Sequence, residues 1–287
     1  AGSLLIGAGY ESRDGENRGS FNESATLASG FVQHRRAWGE RWFVPAGARH
    51  DRHSEVGGAT PWRAALSWNA SARARIHGSI ATGFRAPSLN ELYFPFLGVP
   101  TLDPERSRGG DLGIEGTFAG GAVILDLTLF RTTFDDLIQY DLGSFTFANI
   151  GSAEARGAEA TVTAAAGRRV DLRAAWTWQE TENGDTGDPL ARRPRNRASV
   201  TALLDLGARW SGRATLLAVR DRVESDGTEM DDYTRLDLAL EYDAGAFRPF
   251  VRVDNATDQD YEEIPGYTTP GVTLSVGARF GFGDGAR

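Results

Sequence analysis

Cysteine is absent from the 287 residues, so neither a disulfide framework nor a thiolate metal site can form. Lysine is absent as well: all 31 basic residues are arginine. Four histidines and a single methionine leave little material for a transition-metal centre. No uninterrupted apolar run approaches the roughly 18 residues of a membrane helix. The net charge of −8, with acids and arginines interspersed, argues against nucleic acid as a partner. Glycine is plentiful at 35 residues and aromatics make up 10%, a composition suited to turns and sheets. Mean hydropathy is −0.36, the value of a soluble protein, but strands that alternate between polar and apolar faces dilute a membrane signal in the same way. Residue 1 is Ala and the only methionine is Met230, the expected look of a processed product or a fragment.

Alternation recurs along the whole chain. At the C-terminus, Val272, Leu274, Val276, Ala278, Phe280 and Phe282 are apolar on one parity. Thr273, Ser275, Gly277, Arg279 and Gly281 are small or polar on the other. A period of two means a strand with one face in an apolar medium. Similar runs carry Leu125, Leu127 and Leu129 opposite Asp126 and Thr128, and Val170, Leu172, Ala174 and Trp176 opposite Asp171, Arg173 and Thr177. About fourteen such strands are expected in all.

The connections carry the strongest signal. Those after strands two, four, six, eight, ten and twelve read as tight turns, and those after the odd-numbered strands as longer segments, among them residues 85–108, 135–154 and 180–195. Outer-membrane barrels have this parity, with short periplasmic turns and longer extracellular loops. Arg49, Arg73, Arg75, Arg173, Arg213, Arg235 and Arg279 fall on the polar parity, as a bilayer enforces, because an arginine facing lipid at mid-depth costs about 2–4 kcal/mol. Trp42, Trp62, Trp68, Trp176, Trp178 and Trp210 are expected at the membrane interfaces. The fold class expected is all-β, one antiparallel transmembrane β-barrel domain over residues 1–287, with the C-terminus periplasmic.

The stretch ATGFRAPSLNELY at 81–93, followed by LDPERSRGGDLGIEG at 102–116, resembles the signature of TonB-dependent outer-membrane receptors. The closing VDNATDQDYEEIPGYTTPGVTLSVGARFGF is similar to that family's C-terminal hairpin, and DLIQYDLGSFTFANIGSAEARGAEA at 136–160 is most similar to its cobalamin-receptor branch. The resemblance implies a bacterial outer-membrane transporter and no enzyme. Its ligand is expected to be cobalamin-like, with a ferric siderophore next. The energy-transducing TonB complex is implied as a partner, reached through an N-terminal plug that this chain lacks. Family barrels have about 22 strands, so about eight are expected to precede this chain. A self-closed fourteen-stranded pore, or a barrel enzyme, is the alternative reading.

Candidate ligand-binding residues lie in the long connections: Tyr93, Phe94 and Phe96 after strand five, Tyr140 and Phe145 with Phe147 after strand seven, Arg192 and Arg193 with Arg195 after strand nine, and Tyr261 and Tyr267 in the last loop. Aromatics with arginines suit a large ligand that is ring-rich or partly anionic. His50 and His53 differ in strand parity and so cannot readily share a metal, whereas Asp51 and His53 share a face. A structural hydrogen bond is expected of that pair rather than acid–base chemistry. The acidic run at 224–232 lacks the spacing of an EF-hand, and no catalytic residue, metal ligand or cofactor is expected.

Overall fold

The computed structural model describes residues 2–17, 21–141 and 143–281. Fourteen strands follow one another: β1 Gly2–Asn17, β2 Phe21–Trp38, β3 Trp42–His53, β4 Trp62–Ser71, β5 Ala74–Arg85, β6 Glu105–Phe118 and β7 Val123–Asp141. They continue as β8 Thr146–Ala165, β9 Val170–Asn183, β10 Asn196–Gly207, β11 Trp210–Arg220, β12 Tyr233–Tyr242, β13 Phe247–Asp254 and β14 Thr273–Phe280. In the sheet each strand neighbours the next in sequence, from β1 to β14, with Gly57–Ala59 added beside β3. Two small hairpins, Arg222–Val223 with Glu229–Met230 and Glu262–Ile264 with Tyr267–Thr268, lie in the connections. One short helix, α1 Leu89–Tyr93, follows β5. No plug domain lies among the described residues, and no helix among them is long and apolar enough to cross a membrane.

The chain divides into two compact units, residues 1–114, 128–157 and 180–190, and residues 115–127, 158–179 and 191–287. In the first, pairing brings Leu4, His34, Ala46, Ala64 and Ile80 into one row, with Ile6, Val32, Ala48 and Trp62 in a parallel row on the same face. The opposite face carries Leu5, Gln33, Gly47, Arg63 and Ala81. In the second, Val170, Leu204, Gly212, Leu240, Val251 and Val276 form one row across six strands. Its neighbour on the other face reads Asp171, Leu203, Arg213, Ala239, Arg252 and Ser275. Within each unit these rows carry large apolar side chains that are exposed, from Trp62 at 43% to Ile6 at 70% in the first and from Leu240 at 39% to Val276 at 74% in the second. Contiguous apolar surface of this extent is not tolerated in water and requires lipid.

Aromatic pairs mark the short-turn ends of the strands. Trp42 stacks on Trp68 with ring centroids 5.4 Å apart in the first unit, and Trp210 meets Tyr242 at 4.9 Å and Phe247 meets Phe280 at 5.1 Å in the second. Such girdles belong at a bilayer interface.

Three expectations need correction. The connections after β1 and β7 are not long loops: β1 and β2 run to 16 and 18 residues, and β7 and β8 to 19 and 20. These hairpins exceed the roughly nine to eleven residues a bilayer requires, so pairing simply continues past it. Arg73 sits in the turn before β5 rather than on a strand face. β14 spans 8 residues rather than the eleven of its alternating pattern, and Phe282 lies outside the described residues.

Candidate functional site

Six of the nine buried hydrophobic residues gather where the connections after β5 and β9 meet the extended ends of β7 and β8. In the first unit, Leu92, Leu102 and Ile138 form one cluster, joined by Tyr93, Val99 and Phe147. Ile150, Ala153 and Leu190 form a second, with Phe134 and Leu137 against it. The segment after β5 is ordered from its first residues. Ser88 caps α1 by accepting from the Glu91 N–H, while the Glu91 carboxylate accepts from the Ser88 N–H, a reciprocal capping box. Arg85 forks onto both Glu91, at 2.9 Å, and Glu105, whose carboxylate also accepts the Ile138 N–H at 2.9 Å. Burial opposes the Glu91 charge, yet the Arg85 guanidinium and Ser88 hold its carboxyl below the usual range. Gly98 then folds back on the helix, where an added Cβ would meet the Phe94 nitrogen at 2.6 Å. Asn149 binds both backbone groups of Asp103 and donates to the Asp136 carbonyl at 2.7 Å.

On this scaffold the candidates divide. Tyr93 donates to Glu55 at 3.1 Å, and burial together with that bond pushes its phenol up. Phe94 closes the C-terminus of α1 and is exposed. Tyr140 is a β7 residue, not a loop residue, and meets Phe147 edge-on at 5.7 Å. Phe96 and Phe145 are different: they are 96% and 64% exposed and both have positive φ, 65° and 56°. That conformation is costly for a bulky residue, and such strain clusters at functional sites. The Phe147 N–H donates to the Leu97 carbonyl at 3.1 Å, so both rings lie within two residues of one hydrogen bond between the segment after β5 and the start of β8.

In the second unit, Arg192 is a clasp. Its guanidinium grips Glu224 at 2.8 and 3.0 Å, its N–H reaches the Val223 carbonyl, and its φ is 59°. The Arg192 bond, with help from the Ser225 N–H, keeps the Glu224 carboxyl below its ordinary range. Arg193 is exposed. Tyr261 stacks on Tyr233 at 4.1 Å and accepts from Arg235 at 2.9 Å. Arg222, 3% exposed, lies over the other ring and donates to the backbone of Asp231 and Glu262. Arg222 and the two rings therefore form one stack, with Arg235 on the Tyr261 hydroxyl at its edge, and this ties the last loop to the start of β12. Tyr267, in contrast, is 72% exposed.

Asp51 binds Arg49 at 2.5 Å, and His53 Nδ1 accepts the Glu55 N–H at 3.2 Å, so each has a structural partner. Among the described residues no group of three or more His, Asp or Glu side chains is arranged to hold a metal ion. The organising residues are ones that the sequence pattern alone underrates: Asn149, Asn255 and Arg222. Asn255 is 2% exposed at φ 53°, and its amide holds both Gln259 backbone N–H and carbonyl at 3.0 Å. A detectable signal existed, since asparagine tolerates the left-handed region directly after a strand. Likewise Ser88 and Glu91 have the spacing of a capping box.

A family model described as TonB dependent receptor-like, beta-barrel, matches residues 3–282. The chain belongs to the TonB-dependent receptor β-barrel family. It is 30% identical over 222 residues to the vitamin B12 transporter BtuB of Vibrio vulnificus (strain YJ016), a match covering 76% of this chain and 36% of that protein. Among solved structures it resembles a mutant ferric enterobactin receptor PfeA of Pseudomonas aeruginosa in complex with enterobactin, with TM-score 0.76, 21% identity, and 96% and 51% of the two chains covered. It also resembles the siderophore receptor PirA of Acinetobacter baumannii, with TM-score 0.77, 16% identity, and 98% and 52% covered. The copper transporter OprC gives TM-score 0.79 at 15% identity, with 98% and 54% covered. The chain thus spans about half the length of these structures and about a third of the BtuB relative. Relatives of this family are outer-membrane receptors and transporters, and the all-β antiparallel fold agrees with them.

Proposed function

We propose that residues 1–287 form one β-barrel domain of an outer-membrane transporter that captures a scarce, large ligand, cobalamin-like in preference to a ferric siderophore. Import is energised by the TonB complex acting through a plug carried outside this chain. The barrel performs no covalent chemistry, lipid covers its apolar rows, and the C-terminus faces the periplasm. The observation that carries the reading is the pair of exposed rings, Phe96 and Phe145, both held at positive φ on an ordered loop layer. Solvent-facing aromatics with few rotatable bonds lose little side-chain entropy on binding and suit a ring-rich ligand. The preference for cobalamin rests on the sequence relation to a vitamin B12 transporter. The structural neighbours, at lower identity, include siderophore receptors and a copper transporter and favour no single ligand.

The test is equilibrium binding of cyanocobalamin and of ferric enterobactin to the intact outer-membrane protein that carries this chain. Saturable cobalamin binding is expected, weakened about tenfold by Phe96→Ala or Phe145→Ala, which corresponds to about 1.4 kcal/mol per ring. Saturable enterobactin binding without cobalamin binding overturns the ligand preference, and binding of neither overturns the reading.

A further inference from the structure

The lipid-facing side of the first unit carries two basic groups where its neighbours are apolar. β2 places His34 and Arg36 on the parity of Val32, one of the exposed apolar residues of that side. Cross-strand pairing sets Arg36 between Gly2 and Val44, and Trp38 opposite Trp42, which in turn faces Trp68. Trp42 and Trp68 are the stacked pair at the short-turn end, so Arg36 stands one row inside the girdle. Two residues along a tilted strand amount to about 5 Å, so the guanidinium sits beside the interface, where phosphodiester groups lie.

The chain does not neutralise this arginine. Its guanidinium packs over the Trp38 ring, 5.2 Å from the centroid, and meets no carboxylate among the described residues. The lipid-facing positions around it, Gly2, Leu4, Val44, Ala46 and Leu66, are bare or apolar. Gly2 leaves one flank of Arg36 open, and His34 Nε2 stands 3.5 Å from where a Cβ on Gly2 would be. In the short turns at 39–41 and 72–73, Arg41 and Arg73 are exposed, and Glu40 is the one acid. The second unit differs. One row inside Trp210 and Tyr242 it carries Leu204, Gly212, Leu240 and Val251, with no charge at all. A charge turned toward lipid persists where a counter-charge or the interface receives it.

We propose that Arg36 and Trp38 form a docking site for one anionic phospholipid, whose phosphodiester accepts the guanidinium fork of Arg36. The Trp38 ring holds the guanidinium in place, and the open flank over Gly2 admits the headgroup. The excess of Arg41 and Arg73 over Glu40 favours a headgroup of net negative charge over a zwitterion. The site lies on the outer wall, which a plug inside the barrel does not cover. Its occupant follows from the orientation proposed above, which puts the short turns in the periplasm, beside the phospholipid leaflet.

The intact outer-membrane protein that carries this chain is purified in detergent and titrated with dioleoylphosphatidylglycerol, dioleoylphosphatidylcholine or lipid A. Bound lipid is counted by native mass spectrometry. Phosphatidylglycerol is expected to be retained about fivefold more than phosphatidylcholine. Arg36→Gln removes that preference, and Arg36→Lys, which keeps the charge but not the fork, retains about half of it. Arg13→Gln, at the far end of the β1–β2 hairpin, leaves it unchanged. Strand content by circular dichroism confirms that each variant is folded. Equal retention of the two phospholipids by the unaltered protein, or a preference that survives Arg36→Gln, overturns the proposal and leaves the orientation standing. Arg36-dependent retention of lipid A in place of phosphatidylglycerol overturns both.

Discussion

Arg192 reads, in the sequence, as a cation offered to a ligand. In the folded chain its guanidinium is committed to Glu224, and the loop it closes depends on that carboxylate remaining ionised. Because Arg192 holds the Glu224 pKa below its ordinary value of 4.5, the clasp contributes stability that is fully present above 4.5. That stability disappears as the pH falls through the depressed value. Limited proteolysis of residues 221–232 should therefore stay slow from pH 7 to pH 5 and accelerate only in stronger acid. Glu224→Gln should abolish this pH dependence and expose the loop already at neutral pH. A transition near pH 6 would contradict the assignment, since no group of the clasp titrates there.

Each strand's two faces meet different media, and β14 tests this most sharply. Val276 continues the exposed apolar row of the second unit, whereas Ser275 continues the row of Asp171, Arg213 and Arg252. Val276→Arg should cost about 2–4 kcal/mol in a urea titration in lipid vesicles, and Ser275→Arg less than about 1 kcal/mol. Equal costs would mean that the faces are not distinguished by lipid. The long hairpins follow a different rule. The segments 135–141 and 146–154 carry no continuous alternation, so the sequence reads as loop there, yet cross-strand pairing extends β7 and β8 through them. Strand pairing is a non-local property, and local pattern reports it only where one face is apolar.

At the scale of the molecule, the inversion of the usual core is the governing fact. Only nine hydrophobic residues among those described are buried, while many large apolar side chains on the strands are exposed. The protein should therefore sediment with membranes, resist extraction by 1 M salt or alkaline carbonate, and be released by detergent. Release by salt alone would show that lipid is not its solvent. The all-β class, about fourteen strands, the apolar and polar parities and the family were all legible in the sequence, because alternation and connection length are written locally and a bilayer enforces them on every strand. What each loop residue does was decided by tertiary structure. Phe96 and Phe145 are left exposed at positive φ, while Tyr261 is taken into a stack with Tyr233 and Arg192 into an ion pair with Glu224. These partners lie up to 32 residues away in the chain, and no local pattern encodes which side chains such distant segments will bring together.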